Sequence, residues 1–243
     1  MSMQRSGVMT PSTPNKRVSM AAEALSAMFS TGLKRVSNDG VPRQERIIRL
    51  AEHARHVRSR VLRRVAVELS WYYPKGIMDT LDACCVLFSD EHLVDIIDHR
   101  GSHGARYGSK GSAPRSTNTV SADTVNGAVK QVGDTIDSEK RTGVQSMMLR
   151  LDLVPKRVTD MFFVLLSTHA RDLSKFTKLT IQLKDIDGDQ VLTSFEAPAC
   201  GSAEACIMGS VYRAPHGERL WYCNSIGKAC MGTARDYRQG LAK

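Results

Sequence analysis

Short runs in which apolar and polar residues alternate constrain the fold of this chain more than any other feature. Between Val65 and Trp71 every second residue is large and apolar. This period of two is typical of a strand with one buried face. Further strand-like runs follow at 81–88, 93–98, 125–132, 147–151, 161–167, 179–184, 190–195, 205–213 and 218–224.

The segments between these runs are rich in turn residues and poor in helical periodicity. Asp187-Gly188 separates two alternating runs, which is typical of a β-hairpin. Many short strands with little helix predict an all-β fold, an antiparallel two-sheet β-sandwich over residues 61–243. Residues 99–118 are basic and rich in Gly and Ser, so we predict a surface loop there.

The positive charge of the chain is concentrated near its start. The 243 residues contain 34 Lys/Arg and 25 Asp/Glu, a formal net charge of +9. Residues 1–66 hold 13 of these cations and 4 of these acids, a net of +9 (13 − 4), which leaves 21 of each after them. We therefore predict a basic arm over residues 1–60 in front of a domain with no net charge.

Within the arm, residues 42–60 have the pattern of an amphipathic helix. Apolar side chains such as Ile47, Ala54 and Val57 recur every three or four residues, and Pro42 suits a helix start. One interpretation is a solvated helix that packs its apolar stripe on the neighbouring domain. Eight Arg against two Glu between 42 and 66 favour the other, a docking element for an acidic partner. The candidate contacts are Arg43, Arg46, Arg49, Arg55, Arg58, Arg60, Arg63 and Arg64.

The composition of the arm also bears on its partner and its regulation. Phe29 is the only aromatic residue among the first 60, so a nucleic acid would be bound through its phosphates. We expect a protein or ribonucleoprotein assembly with an acidic surface, such as a filament, and the basic loop 99–118 is a second candidate contact. The tetrapeptide Lys-Arg-Val-Ser occurs twice, which makes Ser19 and Ser37 candidate sites for a basophilic kinase.

The compartment is only loosely constrained by the sequence. No apolar run approaches the ~18–20 residues that span a bilayer, and the first residues lack the apolar core of a secretory signal. Residues 1–22 contain basic residues and no acid. We expect a cytoplasmic protein, with a mitochondrial or cytoskeleton-associated location as the alternative. The six cysteines are then expected to be reduced thiols buried as small apolar side chains.

Several segments together resemble the TerD family of tellurium-resistance and general stress proteins. These are residues 67–71 (VELSW), 153–158 (LVPKRV), 181–188 (IQLKDIDG) and 209–213 (GSVYR), in the family's order and at similar spacing. The resemblance covers about residues 61–238. It implies a β-sandwich, in agreement with the strand pattern.

The same resemblance implies a calcium site held by two acidic loops. Residues 78–84 match the first loop, but only Asp82 is an acid in register. Residues 133–134 match the start of the second, whereas Gly143-Val144-Gln145 replace its closing acids. Calcium requires six to eight oxygen ligands, so we predict a degenerate site and no other cofactor. A weak rearranged site would use Asp79, Asp82, Asp134, Asp137 and Glu139.

No sequence motif of a nucleophile, phosphate loop or dinucleotide-binding turn is found, and the family has no shared catalytic constellation to transfer. We therefore predict a non-enzymatic binding or scaffold module, a structural or accessory subunit attached through its arginine-rich arm. The alternative is a stress-response protein that binds Ca²⁺ or a small anion.

Overall fold

The computed structural model describes residues 48–49, 62–76, 80–90, 92–102, 125, 127–168, 172–213 and 221–231. Nearly all of them are in strands or in the turns between strands. The strands are β1 (Ile48–Arg49), β2 (Arg64–Tyr72), β3 (Leu81–Ser89), β4 (His92–Asp98), β5 (Gly101–Ser102), β6 (Val129–Asp137), β7 (Thr142–Arg150), β8 (Asp160–Ser167), β9 (Thr177–Asp185), β10 (Gln190–Glu196), β11 (Ala205–Arg213) and β12 (Trp221–Cys230).

The strands form two antiparallel sheets. One has seven strands in the order β1-β12-β11-β8-β3-β4-β5, and the other has five in the order β10-β9-β2-β7-β6. The predicted antiparallel two-sheet β-sandwich is therefore confirmed. No helix among the described residues has the length and apolarity that crossing a bilayer requires.

The main core lies between the sheets, and it follows from the alternation in the sequence. In β2 the residues Val67, Leu69 and Trp71 are fully buried, while the residues between them are partly exposed. Side chains such as Phe163 and Leu165 of β8 belong to the same core. Burial of these apolar surfaces is the main favourable contribution to folding.

The seven-stranded sheet is also apolar on its other face. In β8 the residues between the core positions, Phe162, Val164 and Leu166, form a second buried cluster with residues of β3 and β11. The two neighbouring cysteines of β3 divide between the faces, Cys85 in the main core and Cys84 in the second cluster. All six cysteines are buried, and none of them is in a disulfide, as predicted.

Three predictions about local structure are corrected by the structure. The helix predicted over residues 42–60 is wrong at Ile48–Arg49, which pairs with Cys223 and Tyr222 of β12. The open backbone groups of β12, which would otherwise be an edge strand, favour an extended partner there. The rest of the arm lies outside the described residues.

The other two changes are at strand ends. Gly101–Ser102 pair with β4 rather than opening the predicted loop, and residues 103–118 lie outside the described part of the chain. The run predicted to start at Val125 begins as a strand only at Val129, because Val125 and Ala128 form a turn closed by an N–H···O bond of 2.9 Å.

Candidate functional site

The segments that correspond to the two acidic loops meet at a hydrogen bond between the sheets. Gln145 of β7 is 4% exposed, and its side chain points toward the other sheet. Its Oε1 accepts the backbone N–H of Ala83 in β3. β4 pairs with β3 only from Cys85 onward, so Ala83 lies beyond the paired part of the two strands. The side-chain amide of Gln145 supplies the acceptor for its backbone N–H.

Asp82, the one acid in register in the first loop, points away from this contact. Its neighbours along β3 show the alternation: Ala83 lies in the core between the sheets, and Cys84 lies on the opposite face. Asp82 therefore shares the face of Cys84, and its Oδ1 lies 4.0 Å from Nδ1 of His99. An Asp82 carboxylate on that face cannot share an ion with groups between the sheets.

Position 143, where the family pattern has an acid, has no room for a side chain. Gly143 is the register partner of Trp71 in the β2–β7 ladder, and a Cβ on Gly143 would overlap the indole ring. Trp71 is fully buried. An acid at position 143 would therefore have to displace this core residue.

The remaining predicted ligands lie on and after β6. Asp134 is the register partner of Gln145 and shares its face, whereas Asp137, three residues later in a regular ladder, points the opposite way. The Oδ1 of Asp137 accepts the N–H of Lys140 at 2.8 Å, and the Lys140 Nζ lies 3.4 Å from its Oδ2. The backbone hydrogen bond from Lys140 is the main reason that the pKa of Asp137 is lowered. Glu139 is exposed in the same turn.

The predicted ligands that the structure describes do not converge on a point where a calcium ion could bind. Among the described residues, no group of three His, Cys, Asp or Glu side chains is arranged to hold a metal. Asp79 lies outside the described residues. Calcium requires several carboxylates around one point, whereas Asp82, Asp134 and Asp137 do not converge. In place of an acid, Gln145 binds a backbone N–H.

Comparison with known proteins agrees with this architecture. Residues 118–237 match the family model described as the TerD domain. Residues 118–237 of the chain form a TerD domain. No curated protein matches the sequence.

Two solved structures are similar to the chain. The crystal structure of a homologue of a telluride resistance protein (TerD) from Streptomyces coelicolor is 12% identical, with a TM-score of 0.51, over 72% of this chain and 94% of that one. A protein of unknown function is 14% identical, with a TM-score of 0.47, over 70% and 93%. At such low identity the first likeness shows a shared fold.

The predicted arginine contacts in front of the TerD domain are only partly described. Arg63 is exposed. Arg64 is bound within the chain, because its Nε donates to Asp187 Oδ1 at 2.8 Å and its Nη2 contacts the same oxygen. This hydrogen bond is the main cause of the raised pKa of Arg64. The side chains of the other six arginines, together with Ser19 and Ser37, lie outside the described residues.

Sequence reasoning assigns no role to Gln145, although a signal is present. In β7 the inward positions are Gly143, Gln145, Met147 and Leu149, so a single polar residue interrupts the inward row. A buried amide at such a position must find a hydrogen-bond partner. In this chain the partner is the backbone of the facing sheet.

Proposed function

We propose that this chain is a non-enzymatic binding module that attaches through its arginine-rich arm to an acidic protein surface, as a structural or accessory subunit of a larger assembly such as a filament or ribonucleoprotein. The TerD domain is then the folded body of the module, and the arm supplies the attachment.

The observation that carries the proposal is the division of charge along the chain. The whole net charge of +9 belongs to residues 1–66, while the residues that follow are balanced. A solvated segment interleaves both signs, whereas eight Arg with two Glu over 42–66 create a field that attracts acidic surfaces. Because Arg64 is engaged by Asp187, the arginines from Arg43 to Arg60 are the main candidates.

The chemistry between the sheets supports the same proposal. An ancestral ligand site that has exchanged acids for Gly143 and Gln145 no longer offers the charge that calcium needs. A fold that persists while its ligand site is lost is expected to act through its surface. The alternative, a Ca²⁺- or small-anion-binding stress protein, requires a ligand set that the described residues do not bring together.

The test compares the full chain with a variant in which Arg43, Arg46, Arg49, Arg55, Arg58 and Arg60 are all replaced by Gln. The probe is fluorescent poly-L-glutamate, and binding is measured by anisotropy at about 50 and about 200 mM NaCl. We expect the full chain to lose about tenfold or more of its affinity between the two salt concentrations, as charge-led binding does. The variant should bind at least about tenfold more weakly than the full chain at the lower concentration.

The matched control replaces the cations of the predicted second contact, Arg100, Arg106, Lys110 and Arg115, by Gln. We expect this variant to keep most of the affinity. Equal binding by the six-arginine variant would contradict the proposal. Much tighter binding of a short single-stranded RNA than of polyglutamate would replace the acidic protein with a nucleic acid, and calorimetric detection of a sub-micromolar Ca²⁺ site would favour the alternative.

A further inference from the structure

The seven-stranded sheet has a second apolar surface on the side that points away from the five-stranded sheet. We call it the outer apolar face. At its centre Phe162, Val164 and Leu166 of β8 are each 0% exposed. The face is formed by Cys84, Val86, Phe88, Ile96, Phe162, Val164, Leu166, Ala205, Ile207, Tyr212 and Cys230.

This burial requires a further layer. A side chain at the centre of a sheet face loses all contact with water only when another part of the structure packs on it. The five-stranded sheet packs on the opposite face, where Phe163 and Leu165 belong to the main core. None of the twelve described strands lies over the outer apolar face.

The outer apolar face has acidic residues at both ends. Asp82 and Asp98 lie at one end, since they share the faces of Cys84 and Ile96 along their strands. Asp160 lies at the other end as the register partner of Phe88, about 20 Å away at the usual rise per strand residue. Asp98 and Asp160 are only 1% and 4% exposed. Asp82 lies 4.0 Å from His99 Nδ1, and Asp98 Oδ1 accepts the Arg100 N–H at 2.8 Å. Beyond these contacts, the negative charge at both ends of the face favours cations in the layer above it.

The centre of the face also holds two buried polar groups. Ser210 and Asn224 are register partners in the β11–β12 ladder, 2% and 9% exposed. Among the described residues, Ser210 Oγ and Asn224 Oδ1 have no hydrogen-bond partner. Since buried polar groups are normally hydrogen-bonded, the layer over this face is expected to offer donors as well as apolar side chains.

Residues 16–35 of the arm have the complementary pattern. Residues 20–29 (MAAEALSAMF) contain one charged residue, Glu23, and predict a short helix, while Lys16-Arg17 and Lys34-Arg35 flank them. The two basic pairs would be about 27 Å apart along a helix. The order basic–apolar–basic therefore matches the order acidic–apolar–acidic on the sheet at a similar length.

Three other segments outside the described residues are poorer matches. Residues 50–61 contain Leu50, Val57 and Val61 but also four charged side chains, whereas residues 20–29 contain one. Residues 103–124 contain only Tyr107 and Val120 as large apolar side chains, and residues 232–243 contain only Tyr237 and Leu241. The arm is also anchored nearby, because Ile48 pairs with Cys223 of β12 at the edge of the same sheet. The dozen or so residues between 35 and 48 span up to about 40 Å when extended, which is enough to reach the face.

We propose that residues 16–35 dock on the outer apolar face as a third layer of the protein. This inference goes beyond the proposed function, since it uses the first part of the arm and leaves the arginines from Arg43 to Arg60 for the partner. Ser19 and Ser37 lie beside the two basic pairs, so phosphate on either serine would weaken the docking by opposing the Lys and Arg charges.

Native cysteines report on this docking. Cys84 and Cys230 lie on the outer apolar face, whereas Cys85 and Cys206 lie in the main core. Burial raises the pKa of Cys230 to about 12 and that of Cys84 well above its usual value, which keeps both thiols unreactive at neutral pH. Uncovering the face should restore the reactivity of these two thiols and of neither core thiol.

The experiment is alkylation of native full-length protein with N-ethylmaleimide, followed by peptide mass spectrometry. In the variant L25D/M28D two charges lie on the apolar side of the predicted helix. We expect alkylation of Cys84 and Cys230 to become at least about tenfold faster, with Cys85 and Cys206 still protected. The matched control S26D/S30D places one charge on the polar side of the same helix and one directly after its last residue, and should behave as the unmodified protein.

Protection of Cys84 and Cys230 in L25D/M28D would overturn the proposal. It would assign the cover to another segment if the variant is monomeric by light scattering, and to a second copy if it is a dimer.

A second variant tests the docking if L25D/M28D unfolds and all four thiols react. This variant is the full-length protein with Leu25→Cys. Oxidation with copper phenanthroline should join the introduced thiol to Cys84 or Cys230, and the same treatment of Ser26→Cys should not. Absence of that disulfide in Leu25→Cys would also overturn the proposal.

Discussion

The two sheets of this sandwich differ in how many of their faces are buried. In the five-stranded sheet β7 alternates between buried and partly exposed residues, so one face packs and the other contacts water. On that solvent-exposed face Lys184 Nζ lies 2.7 Å from Glu68 Oε2, and Lys178 Nζ lies 4.9 Å from the ring centre of Tyr72. In the seven-stranded sheet every residue of β8 is buried.

The two sheets therefore need different numbers of layers packed on their faces. One partner sheet satisfies the alternating strands, whereas strands that are apolar on both faces are normally covered on both sides. The two-sheet sandwich is a complete description of the five-stranded sheet only. The seven-stranded sheet needs a cover, and the arm is the part of the chain whose sequence matches it.

The largest expected loss of stability comes from a comparison of substitutions on the outward faces of the two sheets. Phe162→Ala removes a fully buried ring from the outer apolar face and should lower the free energy of unfolding by about 3–5 kcal/mol. Tyr72→Ala, on the outward face of the five-stranded sheet where Tyr72 is 42% exposed, should cost less than about 1 kcal/mol. Urea denaturation of both variants measures the two values, and similar costs would show that the outer apolar face is not covered.

A second prediction concerns the hydrogen bond that joins the sheets. Gln145→Ala leaves the Ala83 N–H without its acceptor and should cost about 1–3 kcal/mol. Ser146→Ala, one residue along β7 and pointing outward, is the matched control and should change stability by less than about 0.5 kcal/mol. Chemical denaturation of the two variants provides the comparison. A neutral Gln145→Ala would mean that the amide does not link the sheets.

The smallest effect is expected at the exposed turn between β6 and β7. Asp137 has a lowered pKa in the folded chain, so its contribution to stability is present above the pKa of the unfolded chain and is lost as pH falls through the lowered value. Asp137→Ala should lower the urea midpoint slightly at neutral pH and leave it unchanged well below pH 3.8, the ordinary pKa of the group. Ser138→Ala changes an exposed residue without an ionisable side chain in the same turn and should show no such pH dependence. The same pH-dependent loss in both variants would refute the role of Asp137.

Much of the fold can be predicted from the sequence because each strand carries its own signal. The strand predicted at 205–213 has the observed bounds of β11, since a continuous apolar run ends there at Arg213. β1 could not be predicted, because only its pairing with the edge of β12 makes Ile48–Arg49 extended. The strong helical periodicity around these residues predicts a helix instead of a strand.

The candidate metal site is less completely predictable. The family pattern locates the missing acids at 143–145, and the structure places Gly143 against Trp71 and Gln145 against Ala83. The outward direction of Asp82 follows from alternation with its apolar neighbour Ala83 and could be predicted. The contact between Gln145 and Ala83 could not, because it depends on how two sheets pack across 62 residues of sequence.

The most direct test of attachment through the arm is the affinity of the full chain for poly-L-glutamate before and after the six arginines from Arg43 to Arg60 are replaced by Gln. We expect tight, salt-sensitive binding that falls at least about tenfold in the variant while its unfolding midpoint stays the same. Unchanged affinity in a folded variant would contradict the claim that the arm is the attachment element.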